Sequence, residues 1–202
     1  MGHEIITPAQ LRAVGSEVIV NAFNRETFVF PPRGDAFDVM LEEGGSGGGD
    51  ALLHVHPAAD ETFVVRKGRL KVTLGGREVL VEAGGRITVP RGTPHCFMNA
   101  TAGETVATVI FDPPQRQMNF FRNFARMTVE RPDWFSATGK PKLLLIALVL
   151  NTYRDHLYLA GPPVWLQRGL FAALAVLARW RGYRVLIAPD GSPAQRAAKR
   201  ER

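Results

Sequence analysis

The chain has a single cysteine, Cys96, among its 202 residues. No internal disulfide can form, and nothing in the composition asks for an oxidising compartment, so the cytoplasm is the expected location. Residues 1–10 lack an apolar stretch behind a basic start, and no export leader is read there. Long hydrophobic runs are missing too. Leu143–Leu150 is eight apolar residues, far short of the roughly 18–20 that a spanning helix needs. Acidic residues become scarce in the second half. Residues 1–112 carry ten Lys/Arg and 14 Asp/Glu, whereas residues 113–202 carry 15 and five. The isoelectric point near 10 therefore belongs to the second half. No helix-turn-helix, zinc-finger or RNA-recognition pattern accompanies that charge. Charge alone gives only non-specific attraction, so no specific nucleic-acid partner is expected.

What is present is enough apolar material, 46% of the residues, for one well-buried domain with an appendage. From about Glu17 to Asp112 short alternating stretches are separated by glycine turns, the pattern of an all-β sandwich or barrel. Arg69–Leu74 and Glu78–Glu82 flank Gly75-Gly76 as a hairpin. The tract Gly44–Gly49 is read as a loop bordering a pocket mouth. After Asp112 the pattern becomes helical. Asp112-Pro113-Pro114 reads as a helix start, followed by Gln115–Met127, then Lys142–Tyr158, then Val164–Arg181. In the last segment Leu166, Leu170, Leu174 and Leu177 fall on one face, which reads as the buried stripe. Residues 1–112 are thus expected to form the β domain and 113–191 a helical extension. Residues 192–202 read as a disordered basic tail. The extension is expected to pack on the β domain or on a second subunit, in preference to lying on a lipid surface. The apolar second helix argues for a homodimer.

The chemistry concentrates in four residues. His54-Val55-His56 places two imidazoles two apart, which on a strand aims both at one point. Glu61 follows after four residues, and His95 lies further on. Parity along the next strand puts Glu61, Phe63 and Val65 on one face and Arg66 on the other. A buried carboxylate needs a partner. Three imidazoles and one carboxylate suit one divalent transition metal: Fe, Mn, Ni, Cu or Zn. In the later strand His95, Phe97 and Asn99 share a face, which sends Cys96 to the outer side. Phe63 and Phe97 are the expected pocket-lining residues. Arg69 and Lys71 fall outside, so no cation is placed inward. Asn99 reads as a structural hydrogen-bonder, Asp60 as pointing away from the site, and His156 as part of a polar helical face.

Two spaced patterns hold these residues. One runs Gly48, His54, His56, Glu61, Gly68, and the other Gly84, Pro90, Gly92, His95, Asn99. They resemble the two sequence motifs of the cupin superfamily at every defining position. The resemblance covers about residues 35–112, with Glu17–Phe30 adding strands, and its short intermotif spacing is similar to that of compact single-domain microbial members. It implies a mainly β fold, a jelly-roll β-barrel followed here by the helical extension, in which His54, His56, Glu61 and His95 converge on one metal ion.

Four protein ligands on an octahedral ion leave room for a substrate and a second small ligand. The resemblance implies several chemistries, and fold does not choose among them. The leading expectation is a metal-dependent small-molecule enzyme. It would be a dioxygenase similar to quercetin dioxygenases, acting on an aromatic or apolar substrate, with Glu61 also taking a substrate proton as the catalytic residue. The alternatives are a non-catalytic ligand-binding module with an interaction tail, and a sugar or keto-acid isomerase. The last is disfavoured for a phosphorylated sugar by the lack of an inward cation.

Overall fold

A computed structural model describes residue 12 and residues 14–46, 52–114 and 117–194. Two antiparallel sheets face each other in a jelly-roll-like sandwich. The strands are β1 (Glu17–Asn21), β2 (Glu26–Phe30), β3 (Phe37–Leu41), β4 (His54–Val55), β5 (Asp60–Lys67), β6 (Arg69–Leu74), β7 (Arg77–Glu82), β8 (Arg86–Val89), β9 (His95–Asn99), β10 (Thr105–Asp112) and β11 (Tyr158–Leu159). One sheet has the order β1-β2-β3-β10-β5-β8, and the other β11-β4-β9-β6-β7. Each strand contributes alternate side chains to the space between them, as a half-buried sheet requires. In β5 Glu61, Phe63 and Val65 are buried while Arg66 is exposed. The core holds Phe28, Phe30, Phe37, Leu41, Leu70 and Val109.

Turn chemistry fixes the register. Gly75 and Gly76 both have positive φ, 55° and 84°, and Leu74 pairs Arg77 across them. That is the two-residue turn whose twist matches the flanking strands. Gly68 joins β5 to β6 at φ 72°, and a Cβ there would lie 2.6 Å from Thr105 Oγ1. Only glycine fits both the backbone and the space. Asn99 is a buried hub: its Nδ2 donates to the carbonyls of Leu41, Glu42 and Gly103. Its Oδ1 accepts from Thr101 and Thr105. The structural role expected for it is what the hydrogen bonds give.

The helical part differs from the sequence reading at several points. Asp112 is the last residue of β10, paired with Asp60, and caps no helix. The first helix, α1, is Gln117–Glu130. The second, α2, is Leu143–Thr152 and ends six residues early, because the chain must straighten to form β11. That strand pairs Tyr158 with Val55 and Leu159 with His54, so the extension completes a sheet. Most of the apolar surface of α2 is covered within the chain: Leu145, Ala147, Leu148, Val149 and Leu150 are buried, and Leu143 at its start is exposed. Its apolarity therefore requires no second subunit. The third helix, α3, is Val164–Trp180, and its orientation reverses the expectation. Gln167, Phe171, Ala175 and Ala178 are buried, whereas Leu166, Leu170 and Leu177 are exposed and Leu174 is partly buried against the core. Small side chains let α3 lie close to α2. Gln167 is satisfied by Leu159 N–H and by the Leu159 and Pro162 carbonyls, an arrangement that periodicity could not reveal. The chain stays folded to Ala194, whose N–H donates to Leu186 O. Residues 195–202 of the expected tail lie outside the described residues, as do Gly47, Gly48 and Gly49 of the glycine tract.

Candidate metal centre and cavity

The four expected ligand residues come together between the two sheets. His54 and His95 are direct cross-strand partners on β4 and β9. Glu61 faces them from β5 in the other sheet, and His56 follows β4. All four are buried, and one donor atom from each lies within 4.8 Å of the others. The second motif's turn is fastened to the first motif. Gly92 N–H donates to the His56 carbonyl, and both the backbone N–H and Nε of Arg91 donate to Asp60. Asp60 thus points away from the site, as expected, and its partner holds its pKa low.

The imidazoles are oriented by backbone carbonyls. His54 Nδ1 lies 2.9 Å from Leu52 O, His56 Nδ1 2.5 Å from His156 O and His95 Nδ1 2.8 Å from Thr93 O. Because a carbonyl only accepts, each Nδ1 carries the proton, and each Nε2 turns inward. The Nε2 atoms of His54 and His56 and the Oε1 atom of Glu61 are buried without a hydrogen-bond partner. Three unpartnered acceptors converging in one place are costly unless a cation shares them. These residues fit a divalent transition metal. Carbonyl-anchored histidines are the usual outer support of such a site.

The electrostatics agree with a crowded, cation-seeking cluster. Burial, reinforced by His95 and His56, pushes His54 down to about 3. Burial would raise the Glu61 carboxyl, but His56 and His95 outweigh it and hold it ionised. His95 sits 2.7 Å from Glu61 Oε2 through Nε2. Burial lowers its basicity, but the carboxylate wins and raises it.

His54 of the cluster also lines a cavity of about 440 Å³, within the range of small-molecule sites. Six phenylalanines line it: Phe23, Phe28 and Phe97 from the sandwich, and Phe120, Phe121 and Phe124 from α1. Phe121 also packs on Phe111, and both rings lie against His56. Phe121 of α1 thus packs over the cluster at His56.

Several assignments shift. Phe97 lines the cavity, but Phe63 does not. It is fully buried behind Phe97, with ring centroids 4.9 Å apart. Cys96 lines the cavity beside Phe97 despite the parity argument, so the cavity touches side chains of both parities on β9. Two cations, Arg25 and Lys140, also line it. Both come from connections between elements, which strand parity does not describe. His156 lies beyond α2, buried, and its carbonyl positions His56. Glu26 is a further buried wall residue. Burial pushes its carboxyl up to about 7 against hydrogen bonds from Asn21, Asn24 and Ser46. Its parity with Phe28 and Phe30 was the available signal.

A family model described as a cupin domain matches residues 38–111. Over 65 residues the chain is 42% identical to the quercetin 2,3-dioxygenase of Bacillus subtilis (strain 168). That stretch is 32% of this chain and only 19% of the relative's length. Among solved structures, a sugar phosphate isomerase from Silicibacter pomeroyi is 24% identical, covering 47% of this chain and 70% of its own, with a TM-score of 0.39. The hydroxypropylphosphonic acid epoxidase of S. wedmorenis is 18% identical, covering 55% and 60%, also at 0.39.

Proposed function

The chain carries a domain of the cupin superfamily, and on that premise we propose that it is a metal-dependent small-molecule enzyme, a dioxygenase of an aromatic or apolar substrate. The observation that carries this reading is the joining of two features. Three carbonyl-anchored imidazoles and Glu61 converge, and His54 from that cluster forms part of the wall of a phenylalanine-lined cavity. The similarity of 65 residues to a quercetin 2,3-dioxygenase supports the same reaction class.

His54, His56, Glu61 and His95 would hold one divalent ion among Fe, Mn, Ni, Cu and Zn. When bound, the ion supplies Lewis acidity and a template for substrate and O₂. The residues of the chain do the rest. The phenylalanines favour a flat apolar molecule through ring contacts and exclude water from the inner end. Glu61, held ionised, accepts the proton of a substrate hydroxyl as it approaches the cluster. Both atoms of O₂ enter the product, so no separate reductant is consumed.

The test is to load the protein with Fe, Mn, Ni or Cu and add catechols, flavonols and diketones. One O₂ consumed per substrate lost supports the reading. No spectral change anaerobically and no O₂ uptake with any of them overturns it.

Arg25 and Lys140 on the cavity wall favour one second reading, an isomerase of a phosphorylated sugar. They supply the cations that such a substrate needs. Turnover of a sugar phosphate unaffected by removing O₂ would replace the first reading with this one.

A further inference from the structure

Among the described residues, nothing packs on the outer face of α3. One side of the helix packs on α2 through Phe171, Ala175 and Ala178. On the other side Trp165, Leu166, Leu170, Val176, Leu177 and Trp180 are exposed. Gly169 and Ala173 lie exposed among them, so every exposed position from 165 to 177 is apolar. Trp165 is 73% and Trp180 78% exposed. At the usual helical rise the two indoles stand about 22 Å apart. A continuous apolar strip of that length normally meets something.

Charge says what. Between residues 142 and 188 there are six Lys/Arg and one acid, Asp155, and Arg168 already pairs with that acid. Arg179, Arg181 and Arg184 are exposed beside Trp180, with the Arg181 guanidinium 5.6 Å from the indole centroid. A second copy packed α3 against α3 brings no free counter-charge to this face. Packed antiparallel, the arginine end of one α3 meets the Trp165 end of the other, where the one acid, Asp155, is already paired with Arg168. Packed parallel, like charges meet. An anionic lipid surface answers both features, since headgroups pair with the arginines and the interface takes up tryptophan and leucine side chains. None of the described helices is long and apolar enough to cross a membrane, and the buried side of α3 holds it flat against the fold.

We propose that α3 is a docking face by which this protein lies on an anionic lipid surface, with Trp165 and Trp180 inserted at either end and Arg179, Arg181 and Arg184 on the headgroups.

The full chain, its Trp165→Ser/Trp180→Ser variant and its Arg179→Glu/Arg181→Glu variant are sedimented with vesicles of phosphatidylglycerol and phosphatidylcholine, and with phosphatidylcholine alone. All substituted positions are exposed, and circular dichroism verifies that each variant is folded. The expected result is binding to the mixed vesicles with a blue shift of tryptophan emission, weakened at high salt. Each variant binds at least about tenfold more weakly. Absence of binding to the mixed vesicles overturns the proposal, as does equal binding to phosphatidylcholine alone. A dimer that the tryptophan variant dissociates, without vesicle binding, overturns it in favour of a second copy.

Discussion

His56 donates its Nδ1–H to the backbone carbonyl of His156, a residue one hundred positions further along the chain. The helical extension therefore helps to aim a candidate metal ligand. The same connection carries β11, which pairs with β4 at His54 and Val55. Deleting residues 142–202 should remove the His156 carbonyl, β11 and the cover over Val55 and Phe120 together. We expect the truncated chain to aggregate, measured by size-exclusion chromatography. A soluble monomer with unchanged metal affinity would show that the extension is only an accessory.

Gln167 should prove more important than a polar residue in an apolar helix suggests. Gln167→Leu leaves the Leu159 N–H and the Leu159 and Pro162 carbonyls without their partner. Unfolding in urea should show a loss of about 2–4 kcal/mol. A loss under about 0.5 kcal/mol, the usual size for a surface change, would contradict this.

Glu26 gives a stability signature in pH. Its carboxyl is raised from 4.5 to about 7 by burial, so the fold favours the protonated form. That contribution is fully present below about 4.5 and is lost as pH rises through about 7. Glu26→Gln stays neutral throughout and escapes the loss. The difference in melting temperature between variant and wild type should therefore move in the variant's favour from pH 4.5 to 7 and level off above. The full change corresponds to roughly 3 kcal/mol. A difference constant from pH 5 to 8 would contradict the burial argument.

Metal uptake should depend on pH through His95. The carboxylate of Glu61 raises its pKa above 6.5, and a metal must displace that proton. Affinity should be pH-independent well above this pKa and fall by about tenfold per unit below it. Competition titrations with a chelator across pH 6–9 would read this. Affinity that does not change over that range would argue that His95 is not a ligand.

Much of the candidate centre was legible because strand parity is strict. The two-residue spacing of His54 and His56, and the alternation of Glu61 with Arg66, follow from the pleat alone. The turn glycines were legible for the same local reason: Gly68 has no room for a side chain. What stayed hidden is set by packing between distant segments. No local pattern says that a carbonyl at position 156 will meet His56, or that Arg25 and Lys140 will reach the cavity from loops. The face of α3 was misread because leucines are usually buried, yet Phe171, Ala175 and Ala178 let α3 approach α2 closely and turned the leucines outward. Cys96 shows the limit of parity itself, since it and its neighbour Phe97 both line the cavity.

The most direct test is elemental analysis of the purified protein beside its Glu61→Gln and His95→Ala variants. The account predicts close to one divalent transition-metal ion per wild-type chain, and loss of most of it in both variants while they remain folded. Wild-type protein that holds no such metal and takes up none when Fe, Mn, Ni, Cu or Zn is added would contradict the claim that these four residues form a metal centre.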